Sequence, residues 1–203
     1  MLKSSGILFI CFFFVLGVFA QNEKENVKKD FIIYNKLLKD KKFKASLEYV
    51  NPDFFNYFPK EELLKGMEQT IQNESLIYQL LNPVIKEIHP VFTYQDKQFT
   101  VIDYDSDFNI KLKDVDSYSK DELEAYKKYY SSVFEKSFGK ENVLFNPKTN
   151  FFEIKSHNFA IASSDKGKNE WKFLQIDPNL GDVYRKIFPA AVLDKLDIIK
   201  NKK

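Results

Sequence analysis

The chain has 203 residues, with 31 basic and 29 acidic side chains, and 16% of its residues are aromatic. Charges of both signs are interspersed and nearly balanced, so the sequence offers no basic face of the kind that binds nucleic acid. Its only arginine is Arg185, and clamps for phosphate or carboxylate groups usually use arginine. Composition therefore favours one globular domain with a large aromatic core.

The first 20 residues have the pattern of a secretory signal peptide. Lys3 supplies a positive charge, residues 7–19 are almost entirely apolar, and Ala20 is a small residue before a polar stretch. A retained membrane anchor is the alternative, but this apolar run is shorter than the roughly 20 residues that span a bilayer. Removing the signal also removes Cys11, the only cysteine. We therefore predict an exported protein, periplasmic or extracellular, with no disulfide and no membrane span after signal removal.

Apolar residues recur at helical spacing in the first part of the remaining chain. Residues 21–26 are polar, and this composition predicts a flexible exit segment between the signal peptide and the domain. The spacing that follows predicts a first helix over 27–40 and a second over about 43–50. Glu61 and Glu62 then mark the first turn of a third helix, where acidic side chains suit the helix dipole.

The stretch from 102 to 113 alternates strictly between apolar and polar residues. Such alternation predicts a β-strand, because successive side chains point to opposite faces of a sheet. The odd positions, which we expect to form a solvated face, are Asp103, Asp105, Asp107, Asn109, Lys111 and Lys113. Phe99 and Val101 are apolar in the opposite phase, which predicts a β-bulge near the start of the strand.

Residues 114–150 interrupt the predicted sheet and contain a helix. Ser119 and Glu122 match a capping box, in which each residue's side chain bonds the other's backbone. Gly139 falls where a C-terminal cap belongs. We therefore predict an inserted amphipathic helix over 120–138.

Further strands are predicted over 151–163 and 170–176, followed by a short C-terminal helix. Helices first, then antiparallel strands, is the order of an α+β protein. We predict a single domain over 27–196, in which the N-terminal helices pack on a bent, cone-like antiparallel sheet. Residues 197–203 are expected to form a tail.

The alternating aspartates invite comparison with a calcium-binding loop. Asp103, Asp105 and Asp107 would take the first three ligand positions and Asp114 the twelfth. Position six is Phe108, where the loop needs glycine, so the solvated face of a strand is the better interpretation. We predict no metal site and no cofactor, since phosphate-loop and dinucleotide motifs are also absent from the sequence.

The chain contains two histidines, His89 and His157, and each lies in a predicted strand. Neither has a second histidine at the three- or four-residue spacing of a zinc site. Each can form an acid–base pair with an inward carboxylate, or can be a hydrogen-bonded residue of the core or its rim. They are the only candidate catalytic residues.

Three parts of the sequence carry a resemblance to a known group: residues 47–53 with 61–64, residues 159–165 with 171–174, and residues 188–196. They resemble the corresponding parts of secreted bacterial proteins of the nuclear-transport-factor-like superfamily, the α+β cone shared with ketosteroid isomerase and polyketide-cyclase relatives. The resemblance implies the fold of that group, with 114–150 as an insertion. No catalytic residue is carried over, because the general base and oxyanion hole of the isomerase match no position here.

Three functions are compatible with these observations. The first is an exported, non-catalytic domain that binds a small apolar ligand or a protein partner in or near a concave sheet. The second is a structural or interaction module of the cell envelope, with an exposed apolar patch on the 120–138 helix. The third is an enzyme of the acid–base isomerase or dehydratase kind. The candidate ligand-binding residues are Tyr34, His89, Tyr104, Phe108 and Trp171.

Overall fold

The computed structural model describes residues 6–71 and 75–201, with side chains over 22–70 and 75–201. Within these ranges the fold is α+β, as predicted. The helices are α1 (Gly6–Lys39), α2 (Phe43–Ser46), α3 (Lys60–Ile71), α4 (Lys120–Phe138), α5 (Gly181–Ile187) and α6 (Ala190–Lys200). The strands are β1 (Leu76–Leu80), β2 (Val84–Ile88), β3 (Phe92–Tyr94), β4 (Lys97–Asp105), β5 (Phe108–Leu112), β6 (Val143–Asn146), β7 (Phe151–Ile154), β8 (His157–Asp165) and β9 (Lys172–Gln175).

The N-terminal segment is described only in part. Residues 1–5 of the predicted signal peptide lie outside the described residues, and the side chains of its remainder do too. Among the residues that are described, no helix is both long and apolar enough to cross a membrane.

The strands form two antiparallel sheets that continue into one another. The β5 sheet has the order β1-β5-β7-β6, and the β4 sheet has the order β2-β4-β8-β9 with β3 also paired to β4. Three strands of one sheet continue along the chain into three of the other, and the breaks fall at 81–83, 106–107 and 155–156. We call these three short segments the bend. Backbone hydrogen bonds link the segments of the bend to one another, and in one of them Ser106 N donates to Ser156 O at 2.8 Å.

The β4 sheet is covered on both faces. Ile102 and Tyr104 pack beneath α1, whereas Phe99 and Val101 pack beneath α5 and α6. The apolar residues of β4 therefore change phase because both faces are buried, and not because of a bulge.

The predicted bulge in this strand is thus wrong. β4 pairs with β8 without interruption, from Lys97 opposite Asp165 to Asp105 opposite His157. The irregularity lies instead in the neighbouring strand β2, between Ile85 and Glu87.

The predicted solvated face of 102–113 is wrong in two places. Asp103 is 0% exposed, because α5 and α6 cover its face of the sheet. Lys111 is 8% exposed, with its ammonium 2.6 Å from Asp116 Oδ2 and over the ring of Phe151. The stretch is also two strands rather than one, since it breaks at the bend.

The β5 sheet is covered by α4, whose predicted boundaries of 120 and 138 are confirmed. The capping box is present, with Ser119 N donating to Glu122 Oε2 at 2.8 Å. Gly139 ends the helix at a φ of +88°, a conformation that glycine adopts without strain. On its inner face, Tyr126 packs against Phe152 of β7, with ring centroids 5.5 Å apart. Strand β6 was not predicted and forms an edge of this sheet.

Both ends of the domain differ from prediction. Residues 21–26 belong to α1 rather than to a flexible segment, and Glu23 accepts a hydrogen bond from Gln98 of β4. At the other end, α6 continues to Lys200, beyond the start of the tail predicted over 197–203.

Candidate functional site

Strand register brings both histidines onto one face of the β4 sheet. His157 lies directly opposite Asp105, and Glu87 lies directly opposite Asp103. Directly opposite residues share a face, and so do residues two apart on one strand. His89 follows Glu87 by two residues, and its backbone N–H continues the pairing with β4. The two histidines therefore share a face with three carboxylates.

His157 bridges a buried and a half-exposed carboxylate. Its Nδ1 lies 3.1 Å from Asp105 Oδ1, and its Nε2 lies 3.5 Å from Asp103 Oδ1. The side chain of His157 is 46% exposed, that of Asp105 is 27% exposed and that of Asp103 is 0% exposed. The ring of Phe159 meets the imidazole edge-on, with centroids 5.2 Å apart. The histidine is therefore within reach of solvent while it contacts a carboxylate in the interior.

A lysine completes this cluster. Lys86 lies in the irregular part of β2, and its ammonium is 2.6 Å from Asp105 Oδ2. Partial burial of Asp105 opposes its ionisation, but hydrogen bonds from Lys86 and His157 outweigh that effect. The pKa of the Asp105 carboxyl is therefore held below its usual value.

This arrangement can accept and release a proton. A neutral imidazole has one N–H donor and one acceptor nitrogen, whereas an imidazolium has two donors. An imidazolium at His157 would have its two ring nitrogens 3.1 Å from Asp105 Oδ1 and 3.5 Å from Asp103 Oδ1. His89 forms a second pair, with its Nδ1 3.3 Å from Glu87 Oε1. Histidines paired with carboxylates in this way are the usual components of general acid–base sites.

A cavity of about 480 Å³ lies next to the cluster, at the bend. Asp107 lines it two residues beyond Asp105, and Lys155 lines it two residues before His157. The other walls come from the β5 sheet and from the loop after α4, including Leu144 and Glu153. The histidine cluster and the cavity are therefore neighbours along both central strands.

The candidate ligand-binding residues occupy three different places. Tyr34, Tyr104 and Trp171 belong to the aromatic core under α1, where Tyr104 is 3% and Trp171 is 2% exposed. Phe108 lies in the core between the β5 sheet and α4. His89 lies on the face of the β4 sheet that points away from α1. The structure therefore does not gather the five residues into one site.

The inserted helix α4 has two exposed apolar side chains one turn apart. Tyr129 is 65% exposed and Val133 is 40% exposed. Single apolar side chains at the surface are normal in monomeric proteins, so these two do not by themselves indicate an interaction surface.

The aspartates compared with a calcium loop lie in a different geometry. Asp103 and Asp105 are in β4, and Asp107 is at the bend. In the described ranges no group of three or more His, Cys, Asp or Glu side chains is placed to hold a metal ion.

Sequence reasoning found the two histidines but not the acidic partners that surround them. His89 and His157 are 68 residues apart, and only strand pairing shows that they share a face. Alternation in 102–113 showed that Asp103 and Asp105 share a face, but it did not show which residues of the neighbouring strands lie opposite them.

A scan of the chain against protein-family models finds no match, and a search of curated proteins finds none either.

Proposed function

We propose that this protein binds a small polar molecule at the bend, where the histidine cluster adjoins the cavity. One observation carries this proposal. Both histidines of the chain share one face of the β4 sheet with Asp103, Asp105 and Glu87, next to a cavity of about 480 Å³. Small-molecule sites typically combine a cavity of this size with a few convergent polar groups.

Burial of Asp103 within the cluster supports a ligand site over an ordinary solvated surface. Asp103 is 0% exposed, and a carboxylate is rarely buried without a structural or functional requirement. His157 connects this carboxylate to the solvent-exposed side of the cluster. A bound molecule at the surface would therefore change the electrostatic surroundings of a buried carboxylate.

The predicted signal peptide extends this proposal to the place of action. We infer an exported protein, periplasmic or extracellular, of the nuclear-transport-factor-like group that parts of its sequence resemble. In contrast to the apolar ligand expected from the sequence, the polar cluster favours a ligand with hydrogen-bonding groups.

Histidine-detected NMR tests the proposal. Protein labelled with ¹³C at histidine gives two imidazole signals, both from the site, and variant His157→Gln assigns them. The only tryptophan, Trp171, lies in the core under α1 and gives an internal control. We expect a library of small amines, acids and polyols to contain members that shift the histidine signals saturably and leave the Trp171 indole signal unchanged.

Two outcomes contradict the proposal. One is a library in which no compound moves either histidine signal. The other is a set of shifts that survive in both Asp103→Asn and His157→Gln, since binding would then not involve the cluster. Asp103→Asn preserves the shape of the buried side chain, and His157→Gln is the alternative if that variant does not fold.

A second candidate is an enzyme that uses His157 as its acid–base group, because Asp105 and Asp103 flank its two ring nitrogens. A ligand found by NMR would then be converted, and mass spectrometry would detect the product. We expect His157→Gln to lower turnover by about 10²-fold or more, with ligand affinity measured by calorimetry changed much less. An unchanged ligand after prolonged incubation contradicts this candidate and leaves the binding function.

A further inference from the structure

The cavity at the bend carries more negative than positive charge. Three carboxylates line it, from Asp107, Glu141 and Glu153, against the single ammonium group of Lys155. In the part of the chain that the structure describes, no lysine or arginine lies within ion-pair distance of these carboxylates. Asp105 contrasts with them, since it contacts Lys86. The lining therefore has unneutralised negative charge at neutral pH.

All three carboxylates accept hydrogen bonds from neutral donors, and the longest is the one from Asn142 Nδ2 to Glu141 Oε1 at 3.4 Å. Asp107 Oδ1 accepts a hydrogen bond from Ser156 N at 3.1 Å, and Glu153 Oε1 accepts one from Asn146 Nδ2 at 2.7 Å. Hydrogen bonds of this kind orient a carboxylate without neutralising its charge. The remaining oxygen lone pairs are available to a ligand, with little conformational entropy left to lose.

Aliphatic side chains complete the cavity. Leu144 is 61% exposed and Leu81 is 43% exposed, and both line the cavity. Exposed leucines next to carboxylates suit a ligand that has both a methylene chain and a positive charge, because its chain would cover apolar surface that water now contacts.

We propose that the cavity binds a small organic cation with a short aliphatic chain, such as a primary amine or diamine. This inference rests on the proposed function, since it names the ligand class for the same site. The ammonium group would contact Asp107 and Glu153, and the methylenes would lie against Leu144. Because the carboxylates are open to solvent, we expect weak binding, with a dissociation constant of roughly 0.1–1 mM.

Titration with three matched compounds tests this inference. The probes are 1,5-diaminopentane, 1,5-pentanediol and glutarate, which share a five-carbon skeleton and differ in charge. Backbone ¹⁵N NMR signals of Asn109 and Leu144 report the cavity. We expect saturable shifts with the diamine, and affinity that falls several-fold when the salt concentration rises from about 50 to 300 mM.

Matched variants locate the binding. Glu153→Gln keeps the size of the side chain and removes one charge, so we expect about three- to tenfold weaker binding of the diamine. Glu124→Gln removes the same charge from the exposed surface of α4 and should leave the affinity unchanged. Equal losses in the two variants would show nonspecific attraction and overturn the inference.

The results separate this inference from the proposed function. If the diol or glutarate shifts the signals of Asn109 and Leu144 and the diamine does not, the preference for a cation is overturned. The cavity would then remain a site for a polar ligand. Failure of all three compounds also overturns this preference, while the histidine-detected library decides the proposed function independently.

Discussion

Replacement of Phe152 by alanine tests whether the two sheets fold as one unit. Phe152 is 0% exposed, and its ring lies 5.1 Å from those of Phe134 and Phe145 and 5.5 Å from that of Tyr126. Truncating a fully buried phenylalanine costs about 3–5 kcal/mol, from lost transfer energy and the cavity left behind. The tight ring contacts place this site in the upper half of that range. Such a loss is a large share of the 5–15 kcal/mol that stabilises a typical domain.

Urea denaturation followed by the fluorescence of Trp171 measures this loss from the other sheet. Trp171 lies under α1 in the same core cluster as Ile102 and Tyr104 of β4, so its signal reports the β4 sheet. If the strands transmit folding across the bend, Phe152→Ala shifts the Trp171 transition and the circular dichroism transition together. Leu144→Ala is the control, since Leu144 is 61% exposed and its loss should cost less than about 0.5 kcal/mol.

An unmoved Trp171 transition in Phe152→Ala would refute this reasoning, because the β5 sheet would then unfold independently. A loss below about 1.5 kcal/mol would equally contradict the packing around the ring. Either result would count against one joint site, since the histidine cluster lies on the β4 sheet and most of the cavity lining belongs to the β5 sheet and the loop after α4.

Three further predictions concern single side chains. The pKa of Asp105 is lowered in the folded state, so its ion pair stabilises the protein above about pH 4, and this stabilisation is lost as pH falls through the folded pKa. In urea denaturation, the free energy of unfolding of Asp105→Asn should therefore fall less on acidification than that of the unchanged protein. Burial raises the pKa of Tyr34 to about 12, so its contribution is complete below about pH 10 and is lost as pH rises to 12. Between about pH 10 and 12, the free energy of unfolding of Tyr34→Phe should therefore fall about 2 kcal/mol less than that of the unchanged protein. Ser119→Ala removes the cap of α4 and should cost about 1 kcal/mol in the same assay, whereas an unchanged midpoint would contradict the capping box.

Features encoded by neighbouring residues were the predictable part of the fold. The boundaries of α4 follow from a capping box and a glycine, and both signals act within a few residues of the helix ends. The strand predicted over 151–163 is instead two strands, β7 and β8, because the chain breaks at 155–156. Strand β6 was missed because four residues are too few to establish a period.

Burial of the site could not be predicted in the same way. Alternation in 102–113 showed which side chains share a face, but it did not show what covers that face. The covering helices α5 and α6 come about 80 residues later and pack on Phe99 and Val101, which share a face with the buried Asp103. A polar residue in an alternating strand is solvated only if the sheet has one covered face, and the β4 sheet has two.

The position of the site follows from where the second cover ends. Along β4 and into the bend, alternate positions change from the buried Asp103 to the partly exposed Asp105 and then to Asp107 at the cavity. Charge interactions weaken along this series as the surroundings become more like water. A cation in the cavity would act directly on Asp107 and, through Asp105 and His157, on the buried carboxylate. Histidine signals should therefore respond to a ligand that does not touch the imidazole, because the charge of the ligand changes the electrostatic surroundings of the ring.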